Sequence, residues 1–177
     1  DLSPSLLLMK ILIIGLGNPI LGDDGVGWAV AHQIEKIIPA SKHETEVDCL
    51  ALGGLSLMER LVGYEKVILI DALNTGEHPQ GSVIVFCLED LEELRTGHSP
   101  AAHDATLKVA LATGRKLGAI LPDDRNVHIV AIEAAHVYEF QETLSPAIAA
   151  AVPVAVEKVM DILRGFHASD NQDRSIC

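Results

Sequence analysis

Short apolar runs rich in β-branched residues, each stopped by a glycine or an acid, recur along this chain and leave it few folds to adopt. They are "ILII" between Lys10 and Gly15, "VILI" between Lys66 and Asp71, and "VHIVAI" from Val127 to Ile132. Runs apolar on both sides of the pleat fit strands covered on both faces, the condition of a parallel sheet. Between them, apolar residues return at helical spacing. Val26, Val30, Ile34, Ile37 and Ile38 lead to a stop at Pro39, and Leu55, Met58, Leu61 and Val62 mark a short helix. A helix is predicted from His103 to Leu117. A last one opens at Ser145-Pro146, an N-cap followed by a first-turn proline. Its apolar side is Ile148, Val152, Val156, Val159 and Leu163, and Pro153 inside it predicts a kink. Two further strands are predicted, Glu46 to Leu52 and "SVIVFCL" from Ser82, the latter antiparallel to its neighbour.

Alternating strands and helices predict an α/β fold: a three-layer sandwich with a twisted, mostly parallel sheet flanked by helices, of the phosphorylase/hydrolase-like kind. At 177 residues the chain fits a single domain. We expect a core over about 10–164, an N-terminal extension at 1–8 and a flexible tail at 166–177. Aromatics make up only 3% of the residues, so the core rests on Leu, Ile, Val and Ala.

A net charge of −12 repels polyanions and argues against a nucleic-acid partner. No run reaches the roughly 20 apolar residues of a membrane span, and Lys10 interrupts the first apolar stretch, which argues against a signal peptide. Cys49, Cys87 and Cys177 show no C-x-x-C spacing. The expectation is small buried hydrophobes in a reducing cytoplasm. No pattern demands an oligomer, so a monomer or weak dimer is expected.

The loop after the first strand, "GLGNPILGDDGVG" from Gly15 to Gly27, resembles a phosphate-binding turn without its chemistry. A dinucleotide loop needs a third glycine where Ile20 stands, and a P-loop needs Gly-Lys-Ser/Thr. Asp23 and Asp24 would face any phosphate with negative charge. "GLGNP" alone is similar to the opening of bacterial peptidyl-tRNA hydrolases, but that family's histidine and basic residue are absent here. That function and a non-enzymatic nickel-binding or chaperone-like module are the alternatives to the reading below.

In open α/β sheets, sites form beyond the carboxyl ends of the strands. Asp23 and Asp24 follow the first strand, and Asp71 ends the third. Asp23 suits a helix cap, which leaves Asp24 needing a cation or a proton. His103 opens the long helix in "SPAAHDATL"; His98, His128 and His136 are weaker imidazoles for the same purpose. Two carboxylates and an imidazole suit a borderline divalent ion. No H-E-x-x-H or G-x-S-x-G occurs.

Taken together, these blocks resemble the hydrogenase maturation proteases, which process the large subunit of nickel–iron hydrogenases. The matching segments are "GLGNPILGDDGVG", "DCLALGGLSLMERL", "VILIDAL" and "SPAAHDATL" in that order, with "IVAIEAAH" and a final proline-containing helix. The resemblance implies an endopeptidase, of aspartyl or carboxylate- and metal-dependent class, that removes a C-terminal peptide from a nickel-loaded precursor. It implies nickel contacts at Asp24, Asp71 and His103, with Asp24 and Asp71 also candidates for the catalytic base. The nickel arrives with the substrate, so the resting enzyme is expected to be metal-free. Gly53 and Gly54 would let the precursor chain approach the backbone.

Overall fold

The computed structural model describes residues 9–38, 45–51, 53–91, 102–135 and 140–174. Five strands form one sheet in the order β2-β1-β3-β5-β4: β1 (Ile11–Leu16), β2 (Thr45–Leu50), β3 (Lys66–Leu73), β4 (Val83–Cys87) and β5 (Val127–Glu133). All neighbours are parallel except β4, which runs antiparallel to β5. The central position of β3 follows from its composition: Val67 to Ile70 are all fully buried.

Side chains alternate between two cores. On one face α1 (Val26–Ile37) and α4 (Pro146–Arg174) pack Val30, Ile34, Ile148, Ala155 and Val159 on Ile11, Ile13, Ile68, Ile70, Val130 and Ile132. On the other, α2 (Gly54–Arg60) and α3 (Ala102–Lys116) pack Leu57, Met58, Leu107 and Leu111 on Leu12, Ile14, Val67, Leu69 and Ile129. This is the predicted three-layer arrangement.

Several local expectations are corrected. The α2 face turned inward is Leu57, Met58 and Leu61; Leu55 and Val62 lie exposed. Ile37 is likewise exposed, while Ile38, just after α1, packs against the core. The stretch after Gly165 does not become an irregular tail: α4 continues to Arg174. The reason is Phe166, buried with its ring edge-on to His128 at 5.1 Å and Lys66 over its face at 5.4 Å. Pro153 sits inside α4 on its exposed side, where its missing N–H breaks no buried contact. Cys49 and Cys87 are half-buried rather than core residues. Their thiols lie 3.8 Å from His32 Nε2 and 3.7 Å from His128 Nε2. Pro39, Cys177 and residues 1–8 lie outside the described residues.

Candidate active site

The loop from Gly17 to Gly25 leaves β1 and returns to the sheet as α1, and its glycines are where backbones meet. A Cβ on Gly17, whose φ is +124°, would strike the carbonyl oxygen of Asp24; one on Gly27 would strike the carbonyl oxygens of Leu16 and Ile70. The start of α1 therefore rests directly on the carboxyl ends of β1 and β3. Gly17 N–H donates to Leu50 O at 3.1 Å and Trp28 Nε1 to the same oxygen at 3.3 Å, tying in the end of β2.

Within this loop Gly22 to Gly25 form a single 3-10 turn. Asp24, half-buried, accepts Asn18 N–H on Oδ2 at 2.8 Å. Asp23 does not cap a helix, contrary to the sequence expectation: neither the 3-10 turn nor α1 has a side-chain cap. Only 5% exposed, its carboxylate accepts Ser145 N–H at 2.7 Å and Ser145 Oγ–H at 2.8 Å. The Ser145 hydroxyl is thus committed to Asp23 just ahead of α4.

Asp71 lies two residues before the end of β3 rather than at it. The β1–β3 register stops at Gly15 and Ile70, so Asp71 is the first β3 residue beyond β1. There β1 has turned away into the Asp24 loop, and the carboxylate stands half-buried at the crevice mouth, its Oδ1 accepting Ala72 N–H at 2.8 Å. Asp71 shares strand parity with Leu69 and Leu73, so it projects to the α2/α3 side. The amino ends of α2 and α3 point to this same edge, because Gly54 lies against Thr106 while Gly114, two turns further along α3, lies against Met58. His103 is the second residue of α3, one helical turn before Leu107; its side chain lies outside the described part of the structure. Three elements predicted to carry the site thus converge on one edge of the sheet. Among the described residues, no three His, Cys, Asp or Glu side chains form an ion-binding group.

Of the weaker imidazoles, His98 and His136 lie outside the described residues. His128 is the second residue of β5, at the opposite end of the sheet, so it takes no part in this crevice. It is held against Phe166 and Cys87, and its buried Nδ1 has no hydrogen-bond partner. Burial, and next the Lys66 charge, lower its pKa below 6.5.

A residue that sequence reasoning did not single out is Glu133, at the end of β5 and 2% exposed. Its Oε1 accepts the N–H groups of Thr75 and Gly76, and its Oε2 the Thr75 hydroxyl, all at 2.8 Å. It fixes the loop that leaves β3 after Asp71. The available signal was a lone acid closing an apolar strand.

The family profile described as hydrogenase maturation protease matches residues 28–162. The chain belongs to the hydrogenase maturation proteases. The protease is similar to a Methanocaldococcus jannaschii protein assigned the same activity, at 27% identity over 156 residues, 88% of this chain and 94% of the other. It is 23% identical over 167 residues to the hydrogenase 2 maturation protease of Escherichia coli K12, spanning 88% and 92% of the two chains. Its fold is that of the solved hydrogenase maturating endopeptidase of E. coli, with a TM-score of 0.69 over 89% of this chain and 93% of that one, at 24% identity. The protease is accordingly a hydrolase, an endopeptidase cleaving the C-terminus of a hydrogenase large subunit. This favours the endopeptidase over the binding-module and peptidyl-tRNA hydrolase readings. The profile match begins after Gly27, so Asp71 and His103 fall within it and Asp24 precedes it.

Proposed function

We propose that the protease acts on a precursor whose nickel is already in place, and that Asp24, Asp71 and His103 meet that nickel when the precursor docks. The observation that supports this most is the position of Asp71. It is the first β3 residue past the paired end of β1, at the opening left by the Asp24 loop. A half-buried carboxylate there, with a second on the adjoining loop, suits a divalent cation presented from outside and repels an anion. The nickel belongs to the substrate, and the resting protease needs none.

Peptide hydrolysis requires a water to lose a proton and a carbonyl oxygen to gain negative charge. In this proposal the carboxylates of Asp24 and Asp71 divide two tasks, contact with the ion and acceptance of the water proton. His103, the second residue of α3, supplies the third ion contact in this proposal. The reaction is placed in the cytoplasm because three cysteines without pairing spacing suit a reducing compartment, and the protease works as a monomer or weak dimer. Among the described residues, no helix is long and apolar enough to cross a membrane.

The test is cleavage of nickel-loaded precursor by Asp24→Asn and Asp71→Asn, each of which keeps an oxygen donor and loses charge and basicity. Each is expected to lower kcat at least about 100-fold, the size of a lost acid–base contribution, with thermal unfolding unchanged within a few degrees. Near-wild-type turnover in both variants would discard the carboxylate reading.

A further inference from the structure

We propose that Asp23 and Ser145 form a latch that positions Asp24, making Asp23 a positioning residue for the cleavage reaction. The inference rests on the reading of Asp24 given above. Asp23 and Ser145 are 122 residues apart in sequence, yet both oxygens of a nearly fully buried carboxylate are taken by one residue, its N–H and its hydroxyl. A buried charge is tolerated when its hydrogen bonds are satisfied, and here the partner is the last residue before α4.

The latch joins two loops, each also held through its backbone. Gln141 N–H donates to Ile20 O at 2.9 Å and Gly22 N–H donates to Gln141 O, a parallel bridge between Leu21 and Gln141. Asp23 O accepts Val26 N–H, and Asp24 N–H donates to Leu21 O at 3.2 Å. The peptide unit carrying Asp24 is thus fixed on both sides, with the Asp23 side chain as the inward anchor. Asp24 is left on the outward side of the same turn, half-buried, one oxygen on Asn18 N–H. Adjacent carboxylates in one tight turn point different ways, so anchoring one inward directs the other toward the crevice. The latch also divides the labour: with both oxygens occupied, Asp23 does not compete with Asp24 for a cation.

A displacement of about 1 Å in a reacting or ion-contacting group costs up to about 100-fold in rate. The Ser145 hydroxyl is turned to Asp23, so a change there is expected to leave precursor docking as it was. The expected signature is a loss in kcat with KM preserved.

The experiment measures kcat and KM on nickel-loaded precursor large subunit for the intact protease and for Ser145→Ala, Ser145→Thr and Asp24→Asn. Folding is followed by thermal unfolding and by Trp28, the only tryptophan. Ser145→Ala is expected to lose roughly 10- to 100-fold in kcat with KM within about twofold. Ser145→Thr, which keeps the hydroxyl, is expected to regain most of that loss. Should Ser145→Ala unfold at the assay temperature, rates are taken about 15 °C below its unfolding midpoint, where loss from unfolding disappears and loss from misplacement remains. Wild-type kcat in Ser145→Ala, or a defect confined to KM, overturns the latch while Asp24→Asn still abolishes cleavage. An active Asp24→Asn overturns the reading beneath it, and the latch with it.

Discussion

Asp23 and Asp24 have the same side chain, yet different surroundings give them different work. The sequence marks the pair as chemically loaded, and it offers Asp24 and Asp71 as candidates because each lies near the carboxyl end of an apolar strand. The inward role of Asp23 is not legible, because its partner lies 122 positions away. Glu133 escaped notice for the same reason, its partners lying 57 and 58 positions away. At this scale Glu133→Gln is expected to destabilise the fold by about 1–3 kcal/mol, since an amide cannot accept all three hydrogen bonds as a carboxylate does. Thermal unfolding would then drop by roughly 3–10 °C; an unchanged midpoint would remove Glu133 from the account of the β3 loop. The thiols of Cys49 and Cys87 are raised to about 11, by burial first and nearby acids second. Thiols that high are poor nucleophiles at neutral pH, so iodoacetamide at pH 8 should label both far more slowly than a free cysteine. As a linkage, a thiol pKa of about 11 in the fold against 9.0 as reference adds stability that is complete below pH 9 and lost as pH rises through 11. Fast labelling of both at pH 8 in the folded protein would contradict this.

Elements were legible in kind and less so at their ends. Periodicity located α1 and β3 because most of their apolar residues are buried, Val26, Val30 and Ile34 in α1 and Val67 to Ile70 in β3. It misassigned the inward face of α2, since seven residues make too short a sample and tertiary packing chose Leu57 over Leu55. It also stopped α4 too early, because one buried aromatic, Phe166, extends the helix where the polar composition suggested none. Two glycines test the packing of elements in opposite directions. Gly27→Ala should destabilise by more than about 2 kcal/mol although alanine favours a helix, because its methyl meets two backbone carbonyls of the sheet. Gly165→Ala, with nothing nearby, should stabilise by about 0.5–1 kcal/mol. Denaturant midpoints decide both, and like signs for the two would refute this packing account. His128 adds a pH test for the contact between β5 and α4. Its folded pKa lies below 6.5 through burial and Lys66, so the unfolded chain takes up the proton first. The neutral imidazole therefore contributes stability above pH 6.5 that is lost as pH falls through its lower folded value. Replacing His128 with Phe should flatten the acid side of the stability curve, and an unaltered slope would rule the contact out as its source.

At the scale of the whole molecule, composition and alternation of strand and helix led to the right layers; the carboxyl edge of the sheet is where the proposed site lies. An antiparallel β4 was expected, but its partner is β5, the next strand in sequence, and β4 does not lie beside β3. Which loops touch was not foreseen, because the contacts of residues 20–23 with Gln141 and Ser145 close a span of more than one hundred residues that no local pattern encodes. The account at this scale is that an acidic crevice at the carboxyl edge of the sheet reads a cation already seated in a protein partner and then cuts that partner. Intact-mass spectrometry of the precursor large subunit, incubated with the protease with and without its nickel, tests this most directly. The account predicts loss of one discrete C-terminal peptide from the nickel-loaded precursor and an unchanged mass for the nickel-free one. Equal cleavage of both would contradict recognition of the metal.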